Sequence, residues 1–282
     1  FGLSKKDSFA SIADLLEFRI VKLPFVNFWR SLSVSRRDII VSLGFPVVII
    51  MLIAAAVLAF WSFKTSPPYV DPEKYPIRGI DVSAHNGMMN LDAVKDAGYE
   101  FIFIKASEGE TFKDSNFRLN YEKAVAAGLK TGAYHFFRFD RDGVAQAQNF
   151  LNVIGGRRLD LGLAVDVEKF SNDTTLNHDV VKDRLVSMIE YLNLKGYRVI
   201  LYSNGEGYYD IIQSVAPGEC LWICSFSSIP INENWTFWQY NHHGKVPGIQ
   251  GDVDLNTFFG NKKEWEEFLQ QQQYSGSQSV IK

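Results

Sequence analysis

Apolar runs of strand length alternate with stretches of helical period from residue 77 onward. The strand candidates lie at residues 77–84, 100–107, 130–139, 161–170, 197–204, 220–226, 236–241 and 251–256. Helical patterns lie between them at residues 91–97, 116–127, 144–153, 178–194 and 207–215. Glycine follows four of these stretches, as expected just past a helix end. The alternation predicts an α/β fold.

Eight strands with intervening helices predict an irregular (β/α) barrel of about eight strands over residues 77–269. The gaps at residues 227–235 and 242–250 are too short for full helices, so antiparallel pairing is one solution for the second half. An open doubly wound sheet is the alternative, but no G-x-G-x-x-G follows the first strand. The usual P-loop, zincin and serine-hydrolase motifs are also missing from the sequence.

A second pattern lies upstream, where residues 39–63 form an uncharged apolar run of 25 residues. Such a run exceeds the ~20 residues that span a bilayer. Arg30, Arg36 and Arg37 precede it, so the positive-inside rule predicts residues 1–38 in the cytoplasm and the later chain outside. We interpret the run as a single transmembrane signal anchor, with a cleaved signal peptide as the alternative. The outer domain is then periplasmic or extracellular.

The amino-acid composition indicates the character of the remaining segments and the kinds of partner to expect. Residues 64–76 contain four prolines, which predicts a stiff linker. Residues 270–282 are polar and low in complexity, which predicts a disordered tail. The chain has 29 basic and 32 acidic residues, and this near balance argues against nucleic acid as a partner. Aromatic residues make up 14%, which suits a large core and a site that stacks sugar rings. Cys220 and Cys224 are expected to be free thiols.

Four carboxylates interrupt otherwise apolar strands, at the ends where barrel enzymes carry their chemistry. They are Asp81, Asp166, Glu168 and Asp254. Burying a lone carboxylate is costly, so four at equivalent strand ends indicate an active site. If Asp166 and Glu168 share one strand face, repulsion between their carboxylates raises the pKa of one of them. That carboxyl group then keeps its proton near neutral pH and can protonate the leaving oxygen in glycoside cleavage.

Aromatic residues and histidines give weaker evidence about the site than the four acids do. Aromatic residues on the strands agree with a sugar site but are equally typical of core, and His178, His242 and His243 are given no role. No His, Cys and Asp cluster has metal-ligand spacing, so we expect no metal and no cofactor.

Several stretches together resemble glycoside hydrolase family 25, the lysozymes or N-acetylmuramidases. In order along the outer domain, they read GIDVSAHNG, AGYEFIFIKASEG, NFRLNYEKAVAAGLKTGAYHFF, AVDVEKF, GYRVILYSN, LWICSF, WTFWQYNHHGKVPGI and DVDLNTFFG. The resemblance implies a modified barrel that cleaves, with retention, the β-1,4 bond from N-acetylmuramic acid to N-acetylglucosamine in peptidoglycan. A monomeric catalytic domain is expected.

The resemblance also implies residue roles. Glu168 matches the general acid/base, and Asp166 matches the acid that orients the substrate's acetamido group. Asp81 and Asp254 match two further active-site acids. The substrate-binding positions that match are Tyr134, Tyr202, Trp222 and Gln239. Because Asp166 and Glu168 would approach the sugar from similar directions, a substrate-assisted route is favoured over a direct nucleophile.

Two alternatives stay open. A chitinase-like acetylglucosaminidase would share a D-x-x-D-x-D-x-E strand, but Ala164 replaces its middle acid. A catalytically silent, membrane-tethered peptidoglycan-binding module is the other, and the presence of all four acids argues against it.

Overall fold

The computed structural model describes residues 46–58, 67–230 and 234–277 of the chain. Two compact units divide the sequence, Phe1–Phe63 and Lys64–Lys282. In the first unit residues 46–58 are helical, and apolar side chains such as Ile50 and Leu58 are exposed. Segment 1–38 and the rest of the apolar run lie outside the described residues. Among the residues that are described, no helix combines the length and the apolar character needed to cross a membrane.

In the second unit a barrel of eight strands closes on itself, as predicted. Neighbouring barrel strands follow one another in chain order, and the last strand pairs back onto the first. The bounds are β1 Arg78–Val82, β2 Phe101–Glu108, β4 Lys130–Phe136, β5 Gly162–Asp166, β6 Val199–Asn204, β7 Cys220–Cys224, β8 Trp235–Gly244 and β9 Val253–Phe258. The short β3, Phe112–Lys113, forms a hairpin with β2. Only β9 is antiparallel to its barrel neighbours.

Helices connect most of the strands. They are α1 Leu91–Asp96, α2 Phe117–Ala126, α3 Gly143–Ile154 and α4 His178–Leu194. A fifth, α5, joins three consecutive helical segments, Gly205–Gly207, Tyr208–Ile212 and Gln213–Val215. All five agree with the helical periodicity. Side chains of Asn90, Asp142 and Asn177 cap α1, α3 and α4 by accepting backbone N–H bonds.

The alternation along β2 shows how the sequence builds two core layers. Phe101 and Phe103 point into the barrel, whereas Ile102 and Ile104 pack under the surrounding helices. On neighbouring β4, a Cβ at Gly132 would lie 2.4 Å from the ring of Phe103. Glycine at this position therefore lets an aromatic ring fill the narrow barrel interior.

A sixth helix, α6 (Lys262–Ser277), closes the N-terminal end of the barrel. Its Trp265, Phe268 and Leu269 join the interior cluster, and the Trp265 ring lies 5.5 Å from that of Phe101. The prediction of a disordered tail from residue 270 is therefore wrong for residues 270–277. Apolar side chains spaced three and four apart anchor the helix, and the glutamines that follow continue it.

The predicted linker also contains a residue of the packed domain. Tyr75 is buried, with its ring 5.6 Å from that of Trp235 and 6.3 Å from that of Trp238. The domain therefore begins before residue 77. With α6 covering one end of the barrel, the end formed by the carboxyl termini of the parallel strands is left for a site.

Candidate active site

Three of the predicted acids lie in barrel strands at the end opposite α6. Asp81 is in β1 and Asp166 is the last residue of β5. Asp254 is near the start of β9, and because β9 is antiparallel it lies directly across from Asp81. Glu168 lies two residues beyond the end of β5, so the prediction that it shares a strand with Asp166 is wrong. The four acids nevertheless lie near one another, since the charge of Glu168 acts on Asp166 and that of Asp81 acts on Glu168 and Asp254.

Two side-chain amides hold Asp81. Gln239 Nε2 donates to Asp81 Oδ2 at 2.7 Å, and Asn256 Nδ2 donates to the same oxygen at 2.8 Å. The amides are fixed in turn, because the Tyr202 hydroxyl donates to Gln239 Oε1 and Trp222 Nε1 donates to Asn256 Oδ1, both at 2.8 Å. One connected network therefore crosses β6, β7, β8, β9 and β1.

Asn256 was not predicted. The signal was present, because Asn256 lies two residues after Asp254 in a strand that alternates polar and apolar positions. Because its side-chain amide is not titratable, Asn256 does not stand out in the sequence as a buried acid does.

Asp81 and Asp254 share a hydrogen bond and therefore a proton. Burial raises the pKa of Asp81 to about 6, although the bonds from Asn256 and Gln239 oppose the rise. Burial, and then the charge of Asp81, raise the pKa of Asp254 to about 8. The two amide donors favour charge on Asp81, so Asp254 holds the shared proton and donates to Asp81.

Asp166 and Glu168 form the second pair of acids. Burial raises the pKa of Asp166 well above its usual range, and the charge of Glu168 adds to the rise. Burial, and then the charge of Asp81, raise the pKa of Glu168. Oδ1 of Asp166 is buried and has no hydrogen-bond partner among the described residues. The pair is suited to keeping one carboxyl protonated and one oxygen free for a ligand.

The predicted substrate-binding residues occupy different depths. Tyr134 is half-buried, and burial with the charges of Asp81, Asp166 and Asp254 raises the pKa of its hydroxyl far above the usual range. Tyr202 and Gln239 are buried parts of the network.

Trp222 is only 2% exposed, with its ring stacked 4.4 Å from Phe103. The indole supports the floor of the cleft, and its predicted contact with substrate stays a prediction.

Side chains of the following loop hold Glu168 in place. Asn172 Nδ2 donates to the carbonyls of Glu168 at 2.8 Å and Phe137 at 2.9 Å, and Asn172 Oδ1 accepts from Phe139 N at 2.9 Å. Lys169 Nζ lies 2.6 Å from Asp210 and 2.8 Å from Glu206 of α5. Neither positioning residue was predicted, because both act through loop geometry that the sequence does not display.

Metal binding has no comparable arrangement. Over the described residues, no group of three or more His, Cys, Asp or Glu side chains is placed to hold a metal ion.

A closed barrel with carboxylates gathered at the carboxyl ends of its strands is the architecture of a barrel enzyme. Residues 80–249 match the family Glycosyl hydrolases family 25. The chain belongs to this family.

Relatives from bacteria agree with this membership. The Autolytic lysozyme of Clostridium acetobutylicum is 35% identical over 184 residues, which cover 64% of this chain and 56% of that protein. Lysozyme M1 of Streptomyces globisporus is 34% identical over 204 residues, or 66% of this chain and 68% of that one. This chain therefore spans little more than half of the clostridial protein.

A solved structure agrees as well. A family 25 glycosyl hydrolase from Bacillus anthracis has a TM-score of 0.65 and 33% sequence identity. The match covers 72% of this chain and 96% of that chain.

The shared proton predicts how stability depends on pH. Since the pKa of Asp254 rises from 3.8 to about 8 on folding, the folded protein keeps a proton that the unfolded chain releases. Stability that this proton contributes is present at low pH and is lost as pH rises toward 8. Asp254→Asn keeps a donor for Asp81 and removes the titration. Its Tm should match the wild type near pH 4 and exceed it above pH 8 by roughly 2–4 °C or more.

Circular dichroism melts across this pH range measure the difference. Glu190→Gln, which changes an exposed acid on α4, is the matched control and should show no such crossing. A Tm difference for Asp254→Asn that does not change with pH would contradict the shared proton.

Proposed function

We propose that the chain is a peptidoglycan hydrolase that cleaves the β-1,4 bond between N-acetylmuramic acid and N-acetylglucosamine. The observation that carries the proposal is the convergence of Asp81, Asp166, Glu168 and Asp254 at the open end of the barrel. Membership of family 25 and relatives named lysozyme support the same reaction.

Glu168 is the general acid and base in this proposal. Burial raises its pKa, which favours the protonated form needed to protonate the leaving oxygen. Of the four acids, Glu168 lies on a loop rather than in a strand, and its backbone is fixed by Asn172. After the leaving group departs, the same carboxylate can take a proton from the attacking water.

Asp166 is proposed to hold the substrate's 2-acetamido group while its oxygen attacks the anomeric carbon. The acetamido N–H is a donor, and Asp166 Oδ1 is a buried oxygen without a protein partner. In this substrate-assisted route the acetamido oxygen forms the new bond and Glu168 protonates the departing oxygen. Water then opens the bicyclic intermediate, and the anomeric configuration is retained.

Asp81 and Asp254 are assigned to the floor of the same site. Their single shared negative charge faces the positive charge that develops on the sugar ring. Tyr134 is proposed as a contact for the sugar, because the charges of three of the acids act on its hydroxyl. Tyr202, Gln239 and Trp222 are proposed to support the site behind it.

Replacing the proposed acid tests the function. Glu168→Gln preserves shape but cannot donate a proton, so hydrolysis of purified peptidoglycan should fall by roughly 10²–10⁴-fold. Glu122→Gln, an exposed acid on α2, is the control and should keep full activity. Analysis of new reducing ends should show muramic acid.

Other outcomes discriminate among the alternatives. N-acetylglucosamine at the new ends would indicate a glucosaminidase. No release by the wild type would indicate a binding module, and near-normal turnover of Glu168→Gln would refute the assignment of the acid.

A separate experiment tests the nucleophile. If the acetamido oxygen attacks, a stable thiazoline analogue of the bicyclic intermediate should inhibit far more strongly than the substrate binds. A 2-fluoro sugar, which needs an enzymic carboxylate to attack, should leave the protein mass unchanged. A stoichiometric sugar adduct on Asp81, Asp166 or Asp254 in the mass spectrum would establish a direct route instead.

We further propose that residues 39–63 anchor the chain in the cytoplasmic membrane, with residues 1–38 inside and a monomeric catalytic domain outside. Support comes from the 25 uncharged residues and from the arginines that precede them.

Fractionation tests the anchor. The full-length protein should stay with membranes after a carbonate wash, and protease added outside should cut the chain after about residue 65. Glu168→Gln, which leaves the anchor intact, is the control for effects of wall hydrolysis on the cells. Recovery of a soluble form that begins near residue 60 would show a cleaved signal peptide instead.

A further inference from the structure

A row of side chains on β7 and the residues after it runs from the barrel interior to the rim of the open end. Trp222 and Cys224, two residues apart on β7, both face the interior. Phe226 follows at the same spacing beyond the strand, and its half-buried ring packs against this interior cluster. Phe226 is therefore the outermost member of a row that begins at the floor of the cleft.

The row passes beside the proposed catalytic acids before it reaches the rim. In the sheet register Cys224 lies beside Gln239, whose amide holds Asp81, and the charges of Glu168, Asp81 and Asp254 act on its thiol. Phe226 thus lies one strand step further out than a residue in contact with the site.

Hydrogen bonds on both sides fix the backbone beside Phe226. Ser225 N donates to Gln239 O at 3.0 Å, and Trp238 Nε1 donates to Ser225 O at 2.9 Å. The Ser225 hydroxyl closes the turn by donating to Ser228 O at 2.7 Å. The chain segment that carries the Phe226 ring is therefore fixed at the rim.

A second ring from β8 meets it there. The exposed imidazole of His242 lies 4.2 Å from the Phe226 ring at 63°, and His243 lies 4.1 Å from His242. His243 is held by Asp252 at 2.7 Å, and Asp252 also pairs with Lys245 at 2.5 Å. Burial and the neighbouring His243 lower the pKa of His242 although Asp252 opposes them, so its ring is uncharged near neutrality.

We propose that Phe226 and His242 form an additional sugar-binding subsite for the apolar face of an N-acetylhexosamine ring of the glycan strand. This sugar lies away from the scissile bond, on the side of the cleft formed by β7 and β8. The inference rests on the proposed function, because a glycan strand bound at the acids must leave the cleft across its rim. Two uncharged rings at the rim, one half-buried and the other exposed and inclined at 63° to it, can pack against the C–H face of a pyranose.

Chain length distinguishes a remote subsite from the catalytic centre. Peptide-free glycan strands, separated into the shortest cleaved length and much longer lengths, serve as the probes. Phe226→Ala and His242→Ala should each raise KM for the long strands by roughly 2–12-fold, the range expected for losing one ring contact. The same variants should leave kcat unchanged and should cleave the shortest strand like the wild type. Phe226→Tyr, which keeps the ring, should restore the wild-type KM.

Phe259→Ala is the matched control, because this partly exposed ring contacts Tyr75 and Trp235 at the other end of the barrel. It should change neither KM. Since His242 is exposed, His242→Ala keeps the test valid even if Phe226→Ala does not fold.

Three results would overturn the subsite. Unchanged KM for long strands in His242→Ala and in folded Phe226→Ala would overturn it alone, with the proposed function intact. An equal loss on short and long strands would indicate a structural role for the rings. A wild type that cleaves no glycan strand would overturn the proposed function, and the subsite with it.

Discussion

The antiparallel pairing of β9 with β1 is the constraint on which the site depends. It closes the barrel, so that neither β1 nor β8 is left as an unpaired edge. The reversed direction also carries the first residues of β9, rather than its last, to the open end. Asp254 therefore lies across from Asp81, and Asn256 can donate to the same carboxylate. A parallel eighth strand would place these two side chains at the end covered by α6.

At the floor of the cleft, neutral hydrogen-bond donors rather than cations offset the free-energy cost of burying a charge. Asp81 receives its hydrogen bonds from the amides of Gln239 and Asn256, and Asp254 supplies a shared proton. A cationic partner would lower the pKa of both acids and leave no proton in the site at neutral pH. With amides, the floor carries one negative charge instead of two. Lys105 lowers the pKa of Asp166 from a distance, but it is itself paired with Glu108 at 2.9 Å.

Sequence patterns were sufficient for the features that repeat and insufficient for those that depend on a single loop. The barrel strands and the first five helices follow from apolar periodicity, because each buries one face against a neighbour. Asp81, Asp166 and Asp254 stand out since a carboxylate in an apolar strand is costly without a purpose. Asn172 could not be found in this way, because its three hydrogen bonds join two loops whose meeting depends on the closed barrel. The tail prediction was wrong because low complexity does not exclude a helix whose preceding turn is anchored by Trp265.

The division between strand and loop also separates the two roles that the proposed reaction gives to the four acids. Asp81, Asp166 and Asp254 lie in barrel strands, where pairing with neighbouring strands fixes the backbone of carboxyl groups that keep their positions in the proposed reaction. Glu168 lies beyond the last ladder bond of β5 and must exchange a proton with two different oxygens in the proposed reaction. Its carbonyl is held by Asn172, and its neighbour Lys169 is held by α5, while its side chain stays outside the sheet. In the proposed reaction Glu168 is therefore placed by its backbone, and its carboxyl group keeps the small freedom that proton transfer at two positions requires.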